Sequence, residues 1–186
     1  MNATITATTP RPLTAHDLRE LPEGPPYYQL IEGDLYMSPT PSLTHQRVLR
    51  RLLLMLGTHL EKHPVGEVLP APSEVELSDL NVYEPDLYVV LNARKSIFTP
   101  RGVAGAPDLA VEILSLGTAK YDKGIKRQVY ARCGVKELWL VDTDAQEVSV
   151  FHLQTSADKP FGVFDVKQKF TSPLLPRLVV NVAKIF

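Results

Sequence analysis

Between Ser42 and Pro64 the apolar residues Val48, Leu49, Leu52, Leu53, Leu56 and Leu60 recur at helical spacing. That spacing predicts an amphipathic helix, with Ser42 or Thr44 as its N-cap and Pro64 beyond its end. A second helix is predicted over Thr118 to Cys133, with Thr118 as N-cap and Gly134 as its stop. A shorter one begins after Thr14 and runs through Leu21, ended by Pro22 and the breaker Glu23-Gly24-Pro25-Pro26. Elsewhere the pattern is that of short strands. Tyr28 to Ile31 and Leu35 to Met37 flank Glu32-Gly33-Asp34 as a hairpin. Glu67 to Leu69, Ser73 to Leu77, Asp86 to Leu91 and Asp108 to Leu114 follow, with a loop expected at Phe98 to Ala106. Glu137 to Val141 and Val148 to Leu153 pair around Thr143-Asp144-Ala145, and two or three short strands are expected from Phe161 onward.

This order of elements predicts an α/β (α+β) domain with a mixed sheet flanked by helices. The strand at Asp108, the helix at Thr118 and the strand at Glu137 form a βαβ crossover. A chain of 186 residues suits one domain with a real core. Residues 1–12 read as a flexible tail closed by Pro10 and Pro12, and 13–186 as the single domain.

One residue breaks the apolar pattern in a way that matters. Glu112 lies inside Leu109-Ala110-Val111-Glu112-Ile113-Leu114, a run that reads as a strand covered on both faces. A carboxylate there needs a cation, a donor network or a metal ion, because isolated burial of the charge costs several kcal/mol. A second carboxylate, Asp86, opens the apolar run Leu87-Tyr88-Val89-Val90-Leu91. Each has a plain structural account: Asp86 as a solvated or turn residue after Pro85, and Glu112 as half of an ion pair across the sheet. Together they are hard oxygen ligands for Mg²⁺ or Mn²⁺, which polarises a phosphate and lowers the pKa of a water.

The second helix adds a lysine. With Ile125 at zero in projection, Val129 falls near ~40° and Cys133 near ~80°, which defines the arc expected to face the sheet. Asp122 at ~60° and Lys126 at ~100° lie in or beside that arc, whereas Lys120, Lys123 and Arg127 gather at ~160–220° on the solvent side. An i,i+4 pair whose lysine snorkels past the core edge is one reading. A lysine that stabilises transition-state charge beside the two acids is the other.

These residues also carry a family resemblance. Glu84-Pro85-Asp86-Leu87, Pro107-Asp108-Leu109-Ala110-Val111-Glu112-Ile113-Leu114-Ser115, Asp122 with Lys126, Tyr130, Gly134-Val135 and Trp139-Leu140-Val141-Asp142 resemble the Uma-two family. That family is a group of endonucleases in the PD-(D/E)xK restriction-endonuclease-like superfamily, and the resemblance covers about Tyr28 to Leu153. It implies a restriction-endonuclease-like mixed sheet, divalent-metal dependence and DNA as substrate. It also implies Asp86 and Glu112 as metal-binding acids, and Lys126 as a lysine moved from strand to helix. Leu114, two residues after Glu112, stands where the superfamily motif has its lysine. Glu32 matches a glutamate of similar proteins that could complete the metal site, with a turn carboxylate beside Gly33 as the alternative.

His45, near the start of the first long helix, is a further candidate, for contact with a phosphate or a metal-bound water. A capping or solvated histidine is the alternative. Arg47, Arg50 and Arg51 form one basic edge, and Lys120, Lys123 and Arg127 another; either could grip phosphates or simply be solvated. The formal net charge of -1 counts against unaided nucleic-acid binding and asks for a local positive patch. Cys133 is the single cysteine, so an internal disulfide is excluded and a cysteine-based zinc site is not expected. No apolar run is long enough to span a membrane and no signal peptide is visible, so a cytoplasmic protein is expected. DNA is the expected partner, and a second copy of the chain is a candidate one. The competing reading is a noncatalytic nucleic-acid-binding or regulatory domain on the same fold.

Overall fold

The computed structural model describes residues 11–22, 24–115 and 121–186. Residues 1–10 of the expected tail, Glu23, the expected cap Thr118 and Lys120 lie outside the described residues. In chain order the strands are β1 (Tyr28–Ile31), β2 (Asp34–Met37), β3 (Gly66–Pro70), β4 (Glu74–Ser78), β5 (Asn81–Tyr83), β6 (Leu87–Leu91) and β7 (Phe98–Thr99). Then come β8 (Gly102–Ala104), β9 (Leu109–Leu114), β10 (Glu137–Asp142), β11 (Glu147–His152), β12 (Gly162–Asp165), β13 (Lys169–Thr171) and β14 (Val179–Asn181). The helices are α1 (Ala15–Arg19), α2 (Leu43–Lys62) and α3 (Arg127–Cys133), the last preceded by a π-helical turn, Asp122–Lys126.

One six-stranded sheet has the order β12-β11-β10-β9-β6-β3 and a second the order β2-β1-β5-β4-β8-β7, with β13 and β14 as a separate pair. Strands β9 and β10 run parallel, as the strand–helix–strand reading requires, while β6 pairs antiparallel with β9. Side chains alternate across β9. Leu109, Val111 and Ile113 enter the core that α2 covers, whereas Ala110 and Leu114 enter a second core with Val129 and Tyr130 of α3. Ser42 caps α2, its hydroxyl accepting the His45 N–H at 3.2 Å. Val48, Leu52, Leu56 and Leu60 are the buried face of that helix. Leu52→Ala would cost about 2–5 kcal/mol.

Two expectations are corrected. The segment Phe98 to Ala106 is not simply a loop: β7 and β8 form a hairpin, and β8 adds to β4 in parallel. Strands of two and three residues are too short to show a period, and their partner is distant in sequence. Gly102 permits the approach, with φ at +152° and a backbone so near Glu74 that a Cβ would collide with it. The second correction concerns Ile125, which is 41% exposed rather than at the centre of the buried face. The π-helical turn, with Gly124 at φ -110° and ψ -105°, breaks the ~100° advance per residue on which a projection depends. Asp122, Lys126 and Val129 face inward as the projection expects, and Tyr130 joins them.

Candidate active site

Glu112 shares the β9 face with Ala110 and Leu114, so its carboxylate points toward α3 and the π-helical turn. The β6–β9 register pairs Leu87 with Val111 and Tyr88 with Ala110. One further step sets Asp86 opposite Glu112, where Cβ atoms of directly facing residues lie about 4.5–5.5 Å apart. Asp86 closes the end of that ladder, because its Oδ2 accepts the Ile113 N–H at 2.6 Å. Asp108 does the same at the other end, accepting the Leu91 N–H at 2.8 Å through Oδ2. The two aspartates differ in their side-chain partners. Asp108 is fully buried and lies 2.7 Å from Lys136 Nζ, whereas Asp86 is part-exposed and lies 2.8 Å from Nε2 of His45, in the first turn of α2.

Lys126 comes to Glu112 from the helix. Its Nζ donates to Glu112 Oε1 at 2.9 Å and lies 3.1 Å from Asp122 Oδ1, although no well-aligned hydrogen bond reaches that second oxygen. Tyr130 donates its hydroxyl to the same Glu112 oxygen at 2.7 Å. The Lys126 ammonium also sits over the Tyr83 ring, 5.3 Å from its centroid. Burial alone pushes the Lys126 ammonium down, but the charges of Asp122 and Glu112 outweigh it and hold the group above the ordinary lysine value. Burial pushes the Glu112 carboxyl up to about 8, with the charges of Asp122 and Asp86 acting in the same direction against Lys126 and Tyr130. Glu112 and Asp122 therefore share the single Lys126 ammonium, while Asp86, paired with His45, acts on Glu112 from the neighbouring strand.

The structure thus brings Asp86, Glu112, Lys126 and His45 together. Glu32 stands apart. It pairs with Arg132 and accepts from Asn81 Nδ2 at 3.1 Å, and the link back to Lys126 runs through Asn81 Oδ1, the Tyr83 hydroxyl and the Tyr83 ring. Of the basic edges, Arg51 is tied to the carbonyls of Ile185 and Phe186, Lys123 to Asp142 and Arg127 to Asp158. Arg47 and Arg50 remain exposed, on the side of α2 away from the sheet. Sequence reasoning gave no role to Tyr130 or Tyr83. Asp122, Lys126 and Tyr130 are each four residues apart, a repeat that signals one shared face. Glu84, just before Asp86, was also passed over; burial, then the charge of Glu74, push its carboxyl up to about 7.

Among the described residues, no three His, Cys, Asp or Glu side chains gather closely enough to encircle an ion. Mg²⁺ keeps several waters and uses one or two carboxylates, so the donor set Asp86 and Glu112 fits that ion without a full protein cage.

A family model, Uma2, described as "Putative restriction endonuclease", matches residues 15–183. The chain belongs to the Uma2 family. Uma2 membership spans α1 through the last short helical turn, Val182–Lys184, and so includes every residue of the site. Among solved structures, one described as a putative nuclease belonging to DUF820 from Anabaena variabilis ATCC 29413 matches with a TM-score of 0.80 and 22% identity. The match covers 94% of this chain and 98% of that one, so the two share the restriction-endonuclease-like mixed α+β fold. No curated protein matches the chain. Among the described residues of this Uma2 chain, no helix is long and apolar enough to cross a membrane.

Proposed function

We propose that the chain is a cytoplasmic, divalent-metal-dependent endonuclease that hydrolyses DNA phosphodiester bonds. The observation that carries this reading is the 2.9 Å approach of Lys126 Nζ to Glu112 Oε1, which supplies from the helix the ammonium that Leu114 does not supply from the strand. Asp86 and Glu112 would hold Mg²⁺ or Mn²⁺. The ion, when bound, supplies Lewis acidity toward a phosphate oxygen and makes a water more acidic. Lys126 places positive charge where the phosphate gains negative charge as water attacks phosphorus and the P–O bond breaks. His45 orients Asp86 and is placed to carry a proton. Glu32 acts from outside this group, holding Asn81 and through it Tyr83. The test is incubation of supercoiled plasmid with the protein in Mg²⁺, in Mn²⁺ and in EDTA. Nicked or linear product in the metal-containing reactions alone is expected; intact plasmid in all three would sink the proposal.

A second reading has its own support. Glu112, Asp122 and Lys126 are each less than 5% exposed and pair with one another, as a structural ion cluster does. A noncatalytic nucleic-acid-binding or regulatory domain would then bind DNA without cleaving it, and a Mn²⁺ titration would show no saturable site. Sedimentation of the purified chain, with and without DNA, tests whether a second copy joins the complex.

A further inference from the structure

A cleft of about 300 Å³ opens between the α1 end, the start of β1 and the turn before β4. Tyr27, Tyr28, Pro26 and Pro72 supply apolar and aromatic wall, and Glu84, Glu74 and Arg101 supply its charge. Tyr27 is 42% exposed, which leaves part of its ring open to a ligand. Glu74 is matched with Arg101 at 3.2 Å. Glu84 is not matched: among the described residues its carboxylate has no hydrogen-bond or ion-pair partner, though the wall covers much of it. A part-exposed acceptor in a walled cleft, with no protein donor among the described residues, can exchange water for a ligand that brings the donor.

We propose that this cleft seats a nucleobase with an exocyclic amino group, cytosine or adenine, from single-stranded or unstacked DNA, with Glu84 accepting from that amine. Carboxylates read the cytosine amine in this way, and aromatic side chains give unpaired bases a stacking surface. Arg101, at the rim and 45% exposed, supplies a cation for the phosphate of the same nucleotide. The segment Glu84-Pro85-Asp86 carries one carboxylate into the cleft and the next to the acid pair. A base seated on Glu84 would lie two residues along the chain from Asp86, on the side from which a phosphodiester of the same strand could reach that acid. The proposal rests on the nuclease reading for that last step only.

The experiment measures binding of short oligodeoxycytidylate and oligothymidylate to the full chain by fluorescence anisotropy in EDTA, where metal-dependent cleavage cannot intervene. Thymine replaces the amine of cytosine with a carbonyl, so the wild type should bind the cytosine oligomer about tenfold tighter. Glu84→Gln, whose amide can donate to thymine, should bring the preference to near one. Tyr27→Ala should weaken both oligomers together, by about tenfold. Equal binding of the two oligomers by the wild type would overturn the proposal, as would a preference that survives Glu84→Gln. The wild-type comparison decides the matter even if Glu84→Gln does not fold. Plasmid cleavage without a cytosine preference would refute the cleft alone, and a preference without cleavage would refute the nuclease reading alone.

Discussion

Lys126 Nζ meets Glu112 Oε1 at 2.9 Å in the protein interior, and the same ammonium lies 3.1 Å from Asp122 Oδ1. One cation serves two buried carboxylates. Removing either acid leaves Lys126 with a partner, whereas removing Lys126 leaves both acids without a cation and Glu112 with only the Tyr130 hydroxyl. The three positions should therefore respond very differently to substitution.

Lys126→Ala is expected to destabilise the metal-free protein by about 3–5 kcal/mol, the usual cost of breaking a buried pair. Asp122→Asn in the same chain should recover part of that loss by removing one uncompensated charge. Cleavage should fall about 10²–10³-fold while Mn²⁺ affinity is kept or raised, because the lysine acts on the reacting phosphate and not as a ligand. Denaturant melts, plasmid assays and calorimetry on the single and double variants measure the three effects. Cleavage retained in Lys126→Ala would remove the lysine from the mechanism.

Glu112→Gln should leave a different signature. An unfolded glutamate titrates near 4.3, and burial raises the folded carboxyl to about 8. A group raised in this way stabilises the fold fully below the unfolded value, and that stabilisation is lost as pH climbs through the folded one. Metal-free wild type should lose stability from this carboxyl between about pH 4 and pH 8, while the glutamine variant, which does not titrate, should not. Its Tm should match or exceed that of wild type, most clearly at pH 9, with each kcal/mol worth about 2–4 °C in a chain of this size. Mn²⁺ should raise the Tm of wild type and not of the variant. A marked drop in Tm for metal-free Glu112→Gln would show that Glu112 is mainly structural, and the noncatalytic reading would lead.

Asp86 has two tasks that substitution separates. Asp86→Asn keeps an oxygen for the Ile113 N–H but loses half the metal-binding charge, so cleavage should vanish with little change in stability. Asp86→Ala removes the acceptor as well and should cost about 1 kcal/mol or more beyond that. Thermal melts of the two variants, compared with their plasmid cleavage, give the separation. Equal activity in wild type and Asp86→Asn would leave Asp86 as a strand terminator like Asp108.

His45→Ala tests the outer contact. Asp86 loses its 2.8 Å partner, yet His45 is in the first turn of α2 and is not one of that helix's buried apolar residues. Cleavage should drop about 10-fold or more with Mn²⁺ binding weakened only modestly, and the fold should persist. Salt and pH profiles of the variant beside wild type would show whether the histidine steers a proton or only holds Asp86. Unchanged rates at every pH would exclude both.

Much of this was legible in the chain, for a physical reason. Periodicity is local, so the α2 face Val48, Leu52, Leu56 and Leu60, the parallel placement of β9 and β10 and the anomaly of Glu112 inside an apolar strand could all be read from neighbouring residues. The tertiary structure alone decided what those residues meet. The β6–β9 register sets Asp86 opposite Glu112, and register depends on backbone pairing between segments far apart in sequence. The π-helical turn rotated Ile125 outward, which no uniform projection can foresee, while Asp122 and Lys126 kept the inward placement that the projection gave them. Partner choice was decided there too: Arg132 took Glu32, His45 took Asp86, and Glu84, which lines a cleft, took none among the described residues. Side-chain pairing is a property of the assembled interior, where several elements compete for each charge; the residue types along the chain state only which charges are available.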